Sequence, residues 1–234
     1  HIIGHFIPDT IFNALNKIMP NTVPAEGAGT LCNFQVSIRP IEPLSENRVN
    51  DRSEVLTFNS GGSGARPTSD GLNATAFPSG VMTMPIEATE NTGPIIIWKK
   101  ELRPDSGGIG KFRGGLGQYM DVGVQNGYVF DFQAMFDRIN HAAKGQNGGG
   151  AGASTLIARN DGVKMSGKGK QFVPEGKRVK MAFPGGGGFG LASDRDKKSI
   201  IKDLSSGYIS KKSAKEHYNL SNAEINNVLK KIKN

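Results

Sequence analysis

ELRPDSGGIGKFRGGLG, residues 101–117, packs six glycines, two arginines and one aspartate into seventeen positions. Apolar runs flank it at 95–98 and 120–124. A short apolar run, a glycine-dense connection and a second run read as two strands joined by tight backbone. The pattern repeats outward. Apolar runs at 34–38, 55–58, 128–132, 154–158 and 178–183 are bounded by Gly, Pro, Asn or Asp. Glycine clusters at 61–64, 107–117, 145–152 and 185–190 punctuate them. Residues 36–190 therefore read as a β-rich body.

Both ends have a different texture. Residues 8–19 predict a helix, with Pro8 in its first turn, Ile11, Ala14, Leu15 and Ile18 on its apolar face and Pro20 as its stop. Beyond residue 190, Ile200, Ile201 and Leu204 have helical spacing, and Gly207 stands where a C-cap belongs. Ser210 starts a second short helix ending near His217. Ser221 and Glu224 form a capping box ahead of Ile225, Val228, Leu229 and Ile232. The fold class is α+β: a β-rich, glycine-punctuated body with an N-terminal helix and a C-terminal group of short helices.

Composition bounds the function. Leu, Ile, Val and Phe make up about a quarter of the 234 residues, just above the roughly 20% floor for disorder. No apolar run approaches the roughly 18 residues of a membrane span, so no membrane partner is expected. No basic segment followed by a long apolar stretch opens the chain, so no signal peptide is expected. One cysteine, Cys32, excludes an internal disulfide and a Cys-based zinc site, and fits a cytoplasmic protein. Of the net charge of +8, +5 lies from Asp194 onward. This basic excess reads as solvated helix faces. Nucleic-acid binding is the weaker reading, since only Tyr208 and Tyr218 interleave the lysines.

Three motif matches fail on context. Residues 185–190, GGGGFG, fit a dinucleotide fingerprint literally, but Pro184 intervenes and no helix opens at once. Residues 162–169 resemble a phosphate loop with Gly169 in place of the Ser or Thr. Gly61–Ala65 is one residue short of a nucleophile elbow around Ser63, and its histidine would have to be a distant one such as His141. His1 and His5 would share a helical face but have no third ligand nearby, so no metal site is assigned to this chain. Two segments carry more chemistry, residues 61–71 and 101–117. Consecutive glycine amides can converge on an anion while a neighbouring arginine grips it in bidentate fashion. The candidates for substrate or phosphate binding are Arg66, Arg103 and Arg113, with Asp70 and Asp105 orienting them and Gly62, Gly64, Gly107, Gly108, Gly114 and Gly115 supplying amides. The competing reading is structural ion pairs that pin the turns.

The run at 101–117 resembles a signature of the hydantoinase B/oxoprolinase family, shared with acetone carboxylase large subunits. GGSGARPTSDG (61–71), MPIEATE (84–90), RVKMAFPGGGGFG (178–190), SGYIS (206–210) and SAKEHYNL (213–220) resemble further landmarks in the family's order, as does PNTVPAEGAG (20–29). The resemblance implies that residues 1–192 are the C-terminal half of the family domain and that 193–234 are a short-helix tail. It implies a native subunit about twice this length. A divalent metal would sit in the N-terminal half, ATP on a hydantoinase A-like partner subunit, and neither on this segment alone. It further implies a hetero-oligomeric, ATP-dependent hydrolase of cyclic amides such as 5-oxoproline or hydantoins. Phosphorylating the resonance-stabilised carbonyl oxygen would make the ring a better electrophile for water. An acetone carboxylase-like subunit and a non-catalytic assembly module are the alternatives.

Overall fold

The computed structural model describes residues 2–29, 31–42, 51–81 and 83–233. Two four-stranded antiparallel sheets face each other. The first, in the order β2-β1-β5-β7, uses β1 (Asn33–Pro40), β2 (Ser53–Thr57), β5 (Tyr128–Met135) and β7 (Lys168–Val173). The second, β3-β4-β8-β6, uses β3 (Ile95–Leu102), β4 (Gln118–Val124), β8 (Val179–Ala182) and β6 (Leu156–Arg159). Strand alternation sends Phe34, Val36 and Ile38 of β1 inward, where they meet Phe130 and Phe132 of β5 and Met120 and Val122 of β4. Phe34 stacks on Phe132 at 5.0 Å, and Phe136 carries the aromatic chain to Phe183 at 5.7 Å. The α+β, strand-rich class follows from this arrangement.

Every apolar run contributes to a strand, with ends shifted by a few residues. β3 runs on to Leu102 past a register shift between Ile97 and Lys99. β7 carries no apolar signature. It is a polar edge strand, KGKQFV, whose pairing with β5 supplies its stability. The short helix α2 (Ile86–Glu90) is likewise absent from the sequence expectation.

The glycine clusters lie between strands without being strands. Extended segments thread past one another and bond backbone to backbone. Gly62 N–H donates to Pro184 O, Gly115 N–H to Ser63 O, Gly186 N–H to Gly115 O and Gly108 N–H to Gly186 O. Such spacing leaves no room for side chains. A Cβ on Gly62 would stand 1.8 Å from Gly115 O, and one on Gly114 would stand 2.0 Å from Gly186 O. The fingerprint-like glycines at 185–190 belong to this stack, as close-approach residues.

The tail follows its caps. α3 (Lys197–Ser205) is capped by Asp196 and followed by Gly207 at φ +70°; α4 (Lys211–Glu216) is capped by Ser210. α5 (Asn222–Lys233) starts behind the Ser221–Glu224 box, in which Ser221 N–H donates to Glu224 Oε2 at 2.9 Å. Ile200, Leu204, Ile209, Ala214, Tyr218, Leu220, Ile225 and Val228 form a second small core. The side chain of Ile232 lies outside the described residues.

The first helix departs from expectation. α1 spans Ile2–Leu15, so Pro8 lies inside it rather than in its first turn, and the helix ends before Pro20. Residues 16–19 continue as turns, with Met19 N–H on Leu15 O. The anticipated apolar face is turned outward: Ile11 is 50% exposed and Ile18 79%. His5 and Asp9 are buried instead. A polar cluster beneath the helix sets this orientation and overrides the apolar periodicity.

Candidate functional site

The glycine stack positions two buried charge clusters. The first ties the tail to the body. The Arg195 guanidinium grips Asp70 with two bonds of 2.7 Å and donates to Asp203 Oδ2 at 2.7 Å and Lys111 O at 2.9 Å. Arg113 approaches the same Asp203 oxygen through Nε at 3.2 Å, and its backbone N–H donates to Asp70 Oδ1 at 2.7 Å. Tyr208 and Tyr218 lie within cation–π range of Arg113 and Arg195. Burial pushes the Asp70 carboxyl up, but the Arg195 bonds and charge outweigh it and hold it below its ordinary value. Burial pushes the Tyr218 phenol up.

Of the residues singled out from sequence, the structure brings Asp70 and Arg113 together here. Arg103 stands apart, donating to the carbonyls of Ser154 (2.7 Å) and Phe183 (3.1 Å). Asp105 accepts the Ser210 N–H at 2.8 Å, joining the body to α4. Arg66 is exposed on a two-bond hairpin with Ser69, and among the described residues its side chain reaches the Asp70 carbonyl at 3.3 Å. Its partner arm, Ser69, lines a cleft of about 260 Å³ bordered by Asp70, Lys111 and Arg195.

Four of the six glycine amides already have backbone acceptors. Gly62, Gly108, Gly114 and Gly115 each give their N–H to a backbone carbonyl, which leaves these donors spent before any anion arrives. A Cβ would lie 1.8 Å from Ala25 O at Gly64 and 2.0 Å from Gly114 O at Gly107, so these two also serve close approach. Ser63 Oγ accepts the Leu72 N–H at 2.8 Å, as a turn-closing hydroxyl does.

The second cluster went unread in the sequence. Arg138 donates to Asp9 Oδ2 at 2.8 Å, Glu26 Oε2 at 2.8 Å and Gly27 O at 2.9 Å, with its guanidinium over the Phe6 ring. Asn13 and Gln146 extend the network. His5 Nδ1 stands 3.0 Å from Phe77 O, and His1 lies outside the described residues. Only Glu26 had a local signal, in a glycine-flanked loop; Asp9 and Arg138 meet across 129 residues with no motif between them. Among the described residues no three His, Cys, Asp or Glu side chains gather as metal ligands. Arg138 occupies the space between the Asp9 and Glu26 carboxylates.

Burial raises the Asp9 carboxyl to about 6, against the opposing pull of the Gly27 amide and Arg138. The folded state therefore favours the protonated acid. Stability from this group is full below the ordinary carboxylate range and is lost as pH rises through about 6. The wild type is expected to lose on the order of 3 kcal/mol relative to Asp9→Asn between pH 4 and pH 7. Urea denaturation of both proteins across that range checks it; parallel curves would place the carboxyl near its ordinary value.

An apolar groove of about 630 Å³, lined in part by Tyr119, Leu156, Met165 and Met181, shares no described residue with either charged cluster. No helix among the described residues is long and apolar enough to cross a membrane.

A family model for hydantoinase B/oxoprolinase matches residues 1–192. The chain belongs to the hydantoinase B/oxoprolinase family. Among this family member's relatives is an uncharacterized protein of Methanocaldococcus jannaschii, 33% identical over 215 residues, covering 91% of this chain and 36% of that protein. The B-type subunit of a putative D-/L-hydantoinase from a Pseudomonas strain is 26% identical, covering 92% of this chain and 36% of that protein. The fold is shared with an ATP-dependent caprolactamase from Pseudomonas jessenii at a TM-score of 0.74 and 23% identity, over 90% of this chain and 38% of the other. This hydantoinase B/oxoprolinase chain thus spans about a third of the length of those relatives, not the half that the resemblance implied.

Proposed function

We propose that this chain is part of a B-type subunit of an ATP-dependent cyclic amide hydrolase of the 5-oxoproline or hydantoin type, working in a hetero-oligomer with a hydantoinase A-like ATP-binding subunit. The family match over residues 1–192 carries the reading. The shared fold with a caprolactamase supports it, since caprolactam is itself a cyclic amide. ATP, bound by the partner, would supply the phosphoryl group that turns the amide oxygen into a leaving group.

In this reading the chain holds and orients. Arg66 is exposed, with most of its guanidinium donors unused by the described residues, and would grip the substrate carboxylate or the transferred phosphate. Asp70 and Arg113 hold the hairpin that presents it, while Arg103 and Asp105 pin the neighbouring backbone. Arg66→Ala in the full-length enzyme is expected to lower kcat/KM by about 10- to 100-fold, the worth of a charge-assisted contact, without changing stability. Unchanged kinetics would return Arg66 to a purely structural role.

A carboxylase is the second reading. An acetophenone carboxylase delta subunit from Aromatoleum aromaticum is 30% identical over 200 residues, covering 70% of this chain and 29% of that protein. ADP release by the assembled full-length enzyme separates the two. Release driven by 5-oxoproline or hydantoin supports the hydrolase; release requiring both ketone and bicarbonate supports the carboxylase.

A further inference from the structure

We propose that the outward face of α1 is an internal docking surface, covered by an apolar helix from the part of the full-length subunit outside this chain. This rests on the reading that the native subunit is longer than this chain. Ile3, Ile7 and Ile11 are 79%, 53% and 50% exposed, and they recur every four residues along one ridge of the helix. Ile18, 79% exposed, follows in the turns beyond it. Large aliphatic side chains aligned on one face make an apolar stripe that water disfavours.

The helix cannot roll over to bury this stripe. Its other side is committed to the body through His5 to Phe77 O, Asp9 to Arg138 and the Gly27 amide, and Asn13 to Glu26. A half-turn about the helix axis would bring the isoleucines in but carry Asp9 away from Arg138, leaving that buried guanidinium with Glu26 as its remaining carboxylate among the described residues. The polar cluster therefore fixes the helix with its apolar face outward, and the cover must come from elsewhere. Relatives about three times as long supply the chain length for it. An i, i+4, i+8 ridge is the shape that seats in the groove of a second helix.

The test uses the full-length subunit, alone and with its partner. Ile7→Cys and Ile11→Cys are labelled with N-ethylmaleimide, with Glu87→Cys on exposed α2 as reference, and the labelled peptides are read by mass spectrometry. A covered position reacts only through local opening, so labelling is expected to be at least about 100-fold slower than at position 87. The protection should be independent of partner subunit and of protein concentration. Hydroxyl-radical footprinting of the unsubstituted subunit reads the same face without a substitution: Ile3, Ile7 and Ile11 should oxidise as slowly as core Ile95 and Ile97. Labelling as fast as at position 87 overturns the inference. So does protection that needs the partner subunit, a membrane surface, or concentrations at which two copies associate. The intact mass of the same sample separates the two failures. A mass near 25.0 kDa removes the longer subunit itself, whereas fast labelling in a chain about three times heavier refutes the docking surface alone.

Discussion

Arg195→Ala is expected to cost about 3–5 kcal/mol, because it strips a buried cation from two carboxylates at once. The Arg195 side chain is 2% exposed and that of Asp203 5%, so water cannot replace the lost partner. Arg113 would still reach Asp203, but through one Nε contact at 3.2 Å, and among the described residues Asp70 would keep the Arg113 amide as its remaining donor. The loss should fall on the tail first. Arg195 opens the segment that carries α3 to α5, and Asp203 is the point where α3 meets the body. Residues 193–234 should become protease-sensitive at denaturant concentrations that leave the two sheets folded. Arg195→Lys should recover part of the loss, since an ammonium keeps the charge but cannot grip Asp70 with two parallel bonds while holding Asp203 and Lys111 O. The contribution from Asp70 is present above the ordinary carboxylate range and disappears as its depressed carboxyl is protonated, so the gap between wild type and Arg195→Ala should narrow in acid. A cost below about 1 kcal/mol at neutral pH would mean that the cluster is no stronger than a surface ion pair.

The same cluster shows what local sequence can and cannot carry. Strands were legible wherever alternation buried one face, as in Phe34, Val36 and Ile38. The tail helices were legible because Ser210, Gly207 and the Ser221–Glu224 box are contiguous signals with local geometry. β7 was not, since a polar edge strand owes its existence to the neighbour it pairs with. α1 misled because its isoleucines carry the helical period, whereas its orientation is decided by Arg138, far along the chain. At the candidate site, glycine and charge content drew attention to stretches in which the fold already uses the Gly62, Gly108, Gly114 and Gly115 amides. Only three-dimensional stacking reveals that Gly62 N–H belongs to Pro184 O. Arg195 sat in an Asp-Arg-Asp run that looked like part of a solvated basic tail, and its partner Asp70 lies 125 residues earlier.

Gly62→Ala is expected to abolish the folded state of the chain. The added Cβ would lie 1.8 Å from Gly115 O and 2.2 Å from its carbonyl carbon, and both belong to backbone that is itself bonded on either side. Ordinary overpacking costs about 1–3 kcal/mol because side chains shift to other rotamers. Here no side chain can yield, so the segment at 61–64 must separate from the one at 114–117. That breaks the Gly115–Ser63 and Gly62–Pro184 bonds and unseats the hairpin bearing Arg66. Two reference substitutions isolate this cause. Gly4→Ala adds a methyl group with nothing within 4 Å in α1, and should stabilise by up to about 1 kcal/mol through helix propensity alone. Gly127→Ala has equal space but sits at φ +83°, and should cost about 1–2 kcal/mol through backbone strain alone. Circular dichroism and urea denaturation of the three variants should place them in that order, with no cooperative transition for Gly62→Ala. A Gly62→Ala protein that folds but loses activity in the assembled enzyme would reverse the assignment. The stack would then be soft enough to accept a methyl group, and the Gly62 amide would be needed by the reaction rather than by the fold.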